Sequence, residues 1–289
     1  MGNTRKIKAI FKAQKVTEGA GVRLKRIFSN NELKLTDPFL LLDDFHSDRK
    51  EDYIKGFPWH PHRGIETITY VLHGDVEHGD SIGNSGVISD GDVQWMTAGS
   101  GIIHQEMPKG DKNGLMWGFQ LWANLPKSEK MCAPRYRDVK STDIPELTLE
   151  GGIKIKIICG EVDGIKGPVS DIAIKPEYLD VTIPPEKTFR RSFDSSFTVM
   201  AYIIQGSVNV ISGEAEKSGE PAREEQLILF ESGSQIHLEA GTKGTRLILV
   251  SGKPLNESVA WYGPIVMNTD EEINTARREL SEGTFLKNR

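Results

Sequence analysis

Three of the seven histidines fall in two short motifs, His60-Pro61-His62 and His104-Gln105-Glu106. On a strand, residues i and i+2 point to the same face, about 7 Å apart. His60 and His62 can therefore project together into a barrel interior, and His104 and Glu106 can do so from a facing strand. Three neutral imidazoles and one carboxylate make a mixed nitrogen and oxygen donor set for a first-row transition metal. Neither motif contains cysteine, which disfavours a thiolate zinc site, and the histidines disfavour calcium or magnesium. Four protein ligands on an ion that prefers six leave two positions for water, substrate or dioxygen. Iron(II) suits that arrangement best, with manganese, nickel, copper and zinc behind it. A lone His-x-His is weak, because paired strand histidines often only satisfy buried polar groups. A His-x-His followed about forty residues later by Gly-x-x-His-x-Glu is far more specific. Glu66 lies an even number of residues after His62, so strand parity also places it on the metal face. A bulge at Arg63-Gly64 would change that parity. Spacing alone does not choose between Glu66 and Glu106 as the carboxylate donor.

Such a site needs strands to carry it. Short β-like runs recur at 65–71, 87–88, 93–96, 102–103, 117–121 and 153–158, and again at 179–183, 198–204, 207–211, 226–230, 235–238 and 246–250. This rhythm, punctuated by glycine, points to sandwiches or barrels rather than βαβ units. Gly74-Asp75, Asp90-Gly91-Asp92 and Gly206-Ser207 stand where hairpin turns are expected. Helical signal is concentrated at the end. Thr269-Asp270-Glu271-Glu272 is a capping box, Ile273, Ala276 and Leu280 follow at helical spacing, and Gly283 can close the helix.

The chain also repeats itself. Tyr70-Val71-Leu72-His73-Gly74-Asp75-Val76 resembles Tyr202-Ile203-Ile204-Gln205-Gly206-Ser207-Val208, 132 residues later, and Gly99-Ser100-Gly101 through Glu106 resembles Gly233-Ser234 through Glu239. A duplicated β-domain is expected, joined by the polar stretch 137–152. In the second copy that offset sets Ser192 and Asp194 against His60 and His62, and only His237 and Glu239 keep the His-x-Glu pattern. The second barrel is therefore expected to lack a metal.

Composition narrows the function. A length of 289 residues suggests about two domains, and a net charge of −5 argues against a nucleic-acid grip built on whole-chain charge. No run approaches the roughly 18 apolar residues of a membrane span, and the basic N-terminus has no continuous apolar stretch behind it. Gly2 lacks the Ser or Thr at position 6 that myristoylation would need, since Lys6 stands there. Two cysteines, Cys132 and Cys159, suit a reducing compartment. A cytoplasmic protein is expected, or a nuclear one in a eukaryote. Trp59, Trp95, Met96 and Trp117 are candidates for either pocket lining or core. His73, Asp75, Glu77, His78 and Asp80 read as a solvated strand end, and His46 as loop surface.

The runs Phe57-Pro58-Trp59-His60-Pro61-His62-Arg63-Gly64 and Thr97-Ala98-Gly99-Ser100-Gly101-Ile102-Ile103-His104-Gln105-Glu106 resemble the pirin family of bicupins. Segments 37–43, 121–125 and 263–269 resemble it as well, so the likeness runs nearly end to end. The resemblance implies an all-β chain of two tandem cupin (jelly-roll-like) β-barrels with a C-terminal helix. Its expected domains are 1–137, holding iron, and 151–289. Carried over position by position, it implies His60, His62, His104 and Glu106 as ligands of Fe(2+), with Glu66 behind them. It also implies quercetin 2,3-dioxygenase activity in some members and a nuclear transcription-cofactor role in others. The leading expectation is an iron-dependent dioxygenase that cleaves flavonol-like enols with O2, with Glu106 also accepting the enol proton. The alternative is a non-enzymatic, iron-dependent redox sensor that binds a protein partner. Neither reading calls for nucleic acid or a membrane.

Overall fold

The computed structural model describes residues 3–212, 216–217 and 219–287; Gly2 lies outside them. The chain opens with β1 (Ile7–Lys12), β2 (Gln14–Glu18) and β3 (Val22–Phe28), and a short helix, α1 (Leu33–Thr36), leads into β4 (Phe39–Ser47). There follow β5 (Phe57–His62), β6 (Ile65–His73), β7 (Asp75–Asp80), β8 (Ser85–Ile88), β9 (Val93–Thr97), β10 (Ile102–Lys109), β11 (Met116–Asn124) and β12 (Arg135–Val139). The next elements are β13 (Glu146–Thr148), β14 (Lys154–Cys159), β15 (Glu161–Val162), β16 (Ile165–Lys166), β17 (Glu177–Ile183), β18 (Thr188–Ser192) and β19 (Thr198–Ser212). Then come β20 (Glu216–Lys217), β21 (Ala222–Arg223), β22 (Gln226–Phe230), β23 (Gln235–Gly252), β24 (Ala260–Tyr262), β25 (Ile265–Met267) and α2 (Asp270–Glu282). The all-β architecture expected from the strand rhythm is present. Among the described residues no helix is long and apolar enough to cross a membrane.

The chain forms two compact units. The first comprises residues 14–35, 39–141 and 255–289, and the second 1–13, 36–38 and 142–254. Each terminal segment leaves the unit nearest in sequence for a physical reason. β1 completes the ladder of β22, and residues 265–285 bring Ile265, Met267, Ile273, Ala276 and Phe285 into one buried cluster with Ile103 packed against it.

In the first unit a seven-stranded sheet, β12-β9-β6-β11-β4-β3-β2, is joined by a four-stranded sheet, β5-β10-β7-β8. Gly74 and Gly91 were expected to close hairpins, but β6 does not pair with β7, nor β8 with β9. Each glycine is instead a corner at which the chain passes from one sheet to the other. Gly74 has φ +87°, and a Cβ there would lie 2.7 Å from the Lys109 carbonyl, so glycine is the residue that fits. In the second unit the equivalent Gly206 is a bulge within the continuous strand β19, with a register shift between Gly206 and Val208 against β23. The interior of that unit is filled by aliphatic residues such as Ile155, Leu179, Val199, Ile203, Leu238 and Leu249.

Helix α2 begins as its sequence predicts. The Thr269 hydroxyl accepts from the Glu272 amide at 3.2 Å and the Glu272 carboxylate accepts from the Thr269 amide at 3.0 Å. Gly283 closes the helix at φ +71°.

Candidate metal centre

β5 and β10 are neighbouring antiparallel strands of the four-stranded sheet, not strands facing each other across the barrel. His104 pairs with His60, Ile102 pairs with His62, and the register slips between His104 and Glu106. The ladder therefore delivers three imidazoles to one point. Nε2 of His60 is 3.0 Å from Nε2 of His62 and 3.0 Å from Nε2 of His104. Among the described residues, these three form the one group of histidine, cysteine and carboxylate side chains converging to within 4.8 Å.

The outer ring nitrogens reveal how the protons are arranged. Nδ1 of His60 is 2.9 Å from the Pro58 carbonyl, and Nδ1 of His62 is 3.1 Å from the Pro264 carbonyl. A carbonyl only accepts, so each Nδ1 carries a hydrogen, and in the neutral ring each Nε2 turns a bare lone pair inward. Nδ1 of His104 is 3.3 Å from the Tyr136 hydroxyl. Burial, followed by the other imidazoles, holds His62 and His104 well below the usual imidazole range, so both rings are neutral. Lone pairs of His60 and His62 meeting at 3.0 Å repel each other unless a cation lies between them. Two imidazole nitrogens about 2.1 Å from one ion and about 90° apart would be about 3.0 Å from each other, whereas tetrahedral angles would give about 3.4 Å. The His60–His62 and His60–His104 separations therefore match the right-angled spacing.

Glu106 projects into the same cavity, but protein donors engage both its oxygens. Thr69 Oγ1 donates to Oε1 at 2.9 Å, and Gln120 Nε2 donates to Oε2 at 2.9 Å. Glu66 is elsewhere. Its carboxylate accepts from Thr97 at 2.7 Å, and burial raises its pKa. The cavity has a volume of about 600 Å³. Its lining includes His60, His62, Glu106, Gln120, Trp122 and Trp261. Trp122 meets His62 edge to face at 5.1 Å and lies against Trp261 at 5.9 Å. A second polar cluster lies on the cavity wall. Arg26 donates to both Asp43 oxygens at 2.9 and 2.8 Å and to Glu18 at 2.7 Å. Burial raises the Asp43 pKa against the pull of Arg26.

The structure alters several readings of individual residues. Trp95 and Met96 are core, Trp59 is 55% exposed, and Trp117 stacks on His46 at 4.0 Å, so none of the four lines the cavity. His78 and Asp80, read as solvated, are buried because β7 pairs with β10, which sets His78 beside Glu106 and Asp80 beside His104. His78 stacks on Tyr136 at 5.7 Å, and its Nε2 is 3.5 Å from Asp138. Gln120 and Trp122 escaped sequence reasoning, although their i, i+2 spacing on a strand was a usable signal. Tyr136 and Pro264 are remote in sequence and gave none.

In the second unit His237 pairs with Arg190, and Gln235 with Ser192. By register, the counterpart of His60 is therefore Arg190 and that of His62 is Ser192, two residues from the alignment by offset. Arg190 Nε donates to His237 Nε2 at 3.2 Å, which sets a fixed guanidinium against that ring nitrogen. Asp194 turns to Ser196, whose amide and hydroxyl donate to it at 2.9 and 2.7 Å.

Comparison with known proteins completes the assignment. The Pirin family model matches residues 21–123, and that of the Pirin C-terminal cupin domain matches residues 178–286. The chain belongs to the pirin family. A pirin-like protein of Caulobacter vibrioides is 40% identical over 97% of this chain and 99% of its own length. A Pseudomonas aeruginosa pirin relative, provisionally named a quercetin 2,3-dioxygenase, is 40% identical over 93% of this chain and 94% of its own. The crystal structure of a quercetin 2,3-dioxygenase from Acinetobacter baumannii superposes with a TM-score of 0.87 at 30% identity, covering 98% of both chains. The two units are thus the paired cupin barrels of a pirin, and the first carries a group of three histidines able to hold a metal.

Proposed function

We propose that this pirin is an iron(II)-dependent dioxygenase acting on flavonol-like enols, with His60, His62, His104 and Glu106 holding the ion. The observation that carries the reading is the convergence of the His60, His62 and His104 Nε2 atoms, 3.0 Å from His60 to each of the others, beside a cavity of about 600 Å³. Bound iron would supply Lewis acidity and redox access to dioxygen. The chain's own groups supply the rest. Each Glu106 oxygen gives one lone pair to Thr69 or Gln120 and keeps another, so the carboxylate can serve both as a ligand and as acceptor of the enol proton. Trp122 and Trp261 offer a flat wall for an aromatic ring, and Leu24, Leu41 and Phe45 keep water from that side.

The test is anaerobic loading with iron(II), followed by quercetin and oxygen. Loss of flavonol absorbance by the wild type and its absence in the Glu106→Gln variant is the expected result. Equal rates for the two proteins would remove the enzyme reading. A second reading, an iron-dependent redox sensor that docks a protein partner, is favoured by one feature. Trp59, 55% exposed, directly precedes His60 on β5 and presents a large apolar side chain beside the metal motif. It requires partner capture that differs between iron(II) and iron(III) without turnover, and capture indifferent to oxidation state counts against it.

A further inference from the structure

We propose that Gln120 is a positioning residue for the Glu106 carboxylate, locked in its working orientation by Trp122. The inference deepens the metal reading above and rests on it. Gln120 pairs with Thr69 across the β6–β11 ladder, so the seven-stranded sheet aims both side chains at Glu106 on the four-stranded sheet. Trp122, two residues along β11, donates its indole N–H to Gln120 Oε1 at 3.0 Å, and Gln120 Nε2 donates to Glu106 Oε2 at 2.9 Å.

The chemistry of the two ends permits one direction only. An indole N–H can only donate, and an ionised carboxylate can only accept. A flipped amide would set oxygen against carboxylate and NH2 against indole N–H, losing both bonds. Trp122 thus decides which end of the amide faces Glu106. Two donors arriving from one sheet leave the carboxylate a single orientation, with one lone pair on each oxygen for an ion or a proton. Outer groups of this kind commonly set metal affinity by 10- to 100-fold, because they fix the direction of the ligand they touch. Trp122 also stands against Trp261 on the cavity wall, so the residue that locks the amide is one an aromatic occupant would touch.

Cobalt(II) serves as a spectroscopic probe of the intact protein. Gln120→Met removes the amide, Trp122→Phe removes the indole N–H that locks it while keeping an aromatic ring against His62, and Trp117→Phe makes the same aromatic change on β11 away from the cavity. The expected result is cobalt affinity lowered about 10-fold by Gln120→Met and less by Trp122→Phe. Both should shift the cobalt visible bands, and Trp117→Phe should leave them in place. The double variant should match Gln120→Met within about twofold, since Trp122 acts through the amide. Losses that multiply in the double variant, or equal band shifts in Trp117→Phe, overturn the inference while the metal reading stands. Failure of the wild type to bind cobalt removes both. Should Gln120→Met not fold, Trp122→Phe is compared in the wild-type and Glu106→Gln backgrounds: a band shift in the first background only supports the inference, and the same shift in both comes through the His62 contact and refutes it.

Discussion

His104 lies directly opposite His60 on the β5–β10 ladder, and their Nε2 atoms stand 3.0 Å apart. A hydrogen-bonded ladder makes this proximity a property of the backbone, so the donors are gathered before any ion arrives. Inward lone pairs are a cost to the ion-free protein and a gain once a cation enters. Loading with a divalent transition metal should therefore raise the melting temperature. Saturation near 100 times the dissociation constant adds about 2.7 kcal/mol, or about 5–10 °C for a domain of this size. A chelator should reverse the gain, and the His60→Ala protein should show little of it. Equal metal content and equal shifts in His60→Ala, by elemental analysis and calorimetry, would contradict this account.

Gly64 follows the metal motif at φ +78°, and a Cβ there would lie 2.0 Å from the Val266 carbonyl. Alanine would meet both backbone strain and a collision with the segment that supplies the Pro264 carbonyl to His62. Gly164 has a similar φ of +82° but nothing within 4 Å of its added Cβ. Gly164→Ala should cost about 1 kcal/mol from strain alone, whereas Gly64→Ala should cost several and weaken metal binding. Denaturant titration of both proteins checks the pair. Equal costs would show that close packing at Gly64 does not matter.

The metal centre was legible where local spacing carries it. His60 and His62 alternate on one strand and His104 lies on another, so strand period foresaw the three imidazoles, although the same parity set Glu66 on that face and the structure turns it to Thr97. The pairing of those strands was less accessible, because a positive-φ glycine announces a turn without saying whether the flanking strands will bond. Gly74, Gly91 and Gly206 looked alike in sequence, yet two became corners between sheets and one a bulge. The groups that hold the imidazoles were least accessible. The Pro264 carbonyl reaches His62 from 202 residues away, and backbone carbonyls have no sequence signature. The register of the second barrel was misaligned by two residues for a related reason: Arg190, chemically unlike histidine, occupies the place of His60.

Arg63, between His62 and Gly64, is buried and fully committed. It donates to the Ser100 and Phe285 carbonyls, each at 2.7 Å, pairs with Glu279 at 2.8 Å and lies over the Phe285 ring at 4.2 Å. A planar fork spans three directions at once, which an ammonium cannot do. Arg63→Lys should destabilise the fold by a few kcal/mol, and Arg63→Ala by about 3–5 kcal/mol, since it leaves buried acceptors without a partner. Both should loosen residues 279–285, read as faster amide exchange at the end of α2. Unchanged exchange there would mean that Arg63 does not tether this segment.

Lys130 gives the fold a pH dependence of its own. Its Nζ is buried among the Gly64 and Val266 carbonyls, at 2.8 and 2.9 Å, and the Asn124 side-chain oxygen at 2.5 Å. Burial pulls its pKa down from 10.5 to about 7, against the opposing charges of Glu257 and Glu272. Below pH 7 the folded and unfolded chains both carry the proton, and the folded state bears the whole cost of the buried charge. Between about 7 and 10.5 the unfolded chain keeps a proton that the folded chain has released. Unfolding then takes up a proton, so stability rises with pH by up to about 1.4 kcal/mol per unit. Lys130→Met has no such group and should lack that rise, whatever its stability at neutral pH. From pH 7 to 9 the wild type should therefore gain about 2 kcal/mol on the variant in denaturant titrations. Parallel pH profiles would show instead that the three oxygens keep Lys130 charged throughout, as a fixed ammonium pin between the metal motif and β25.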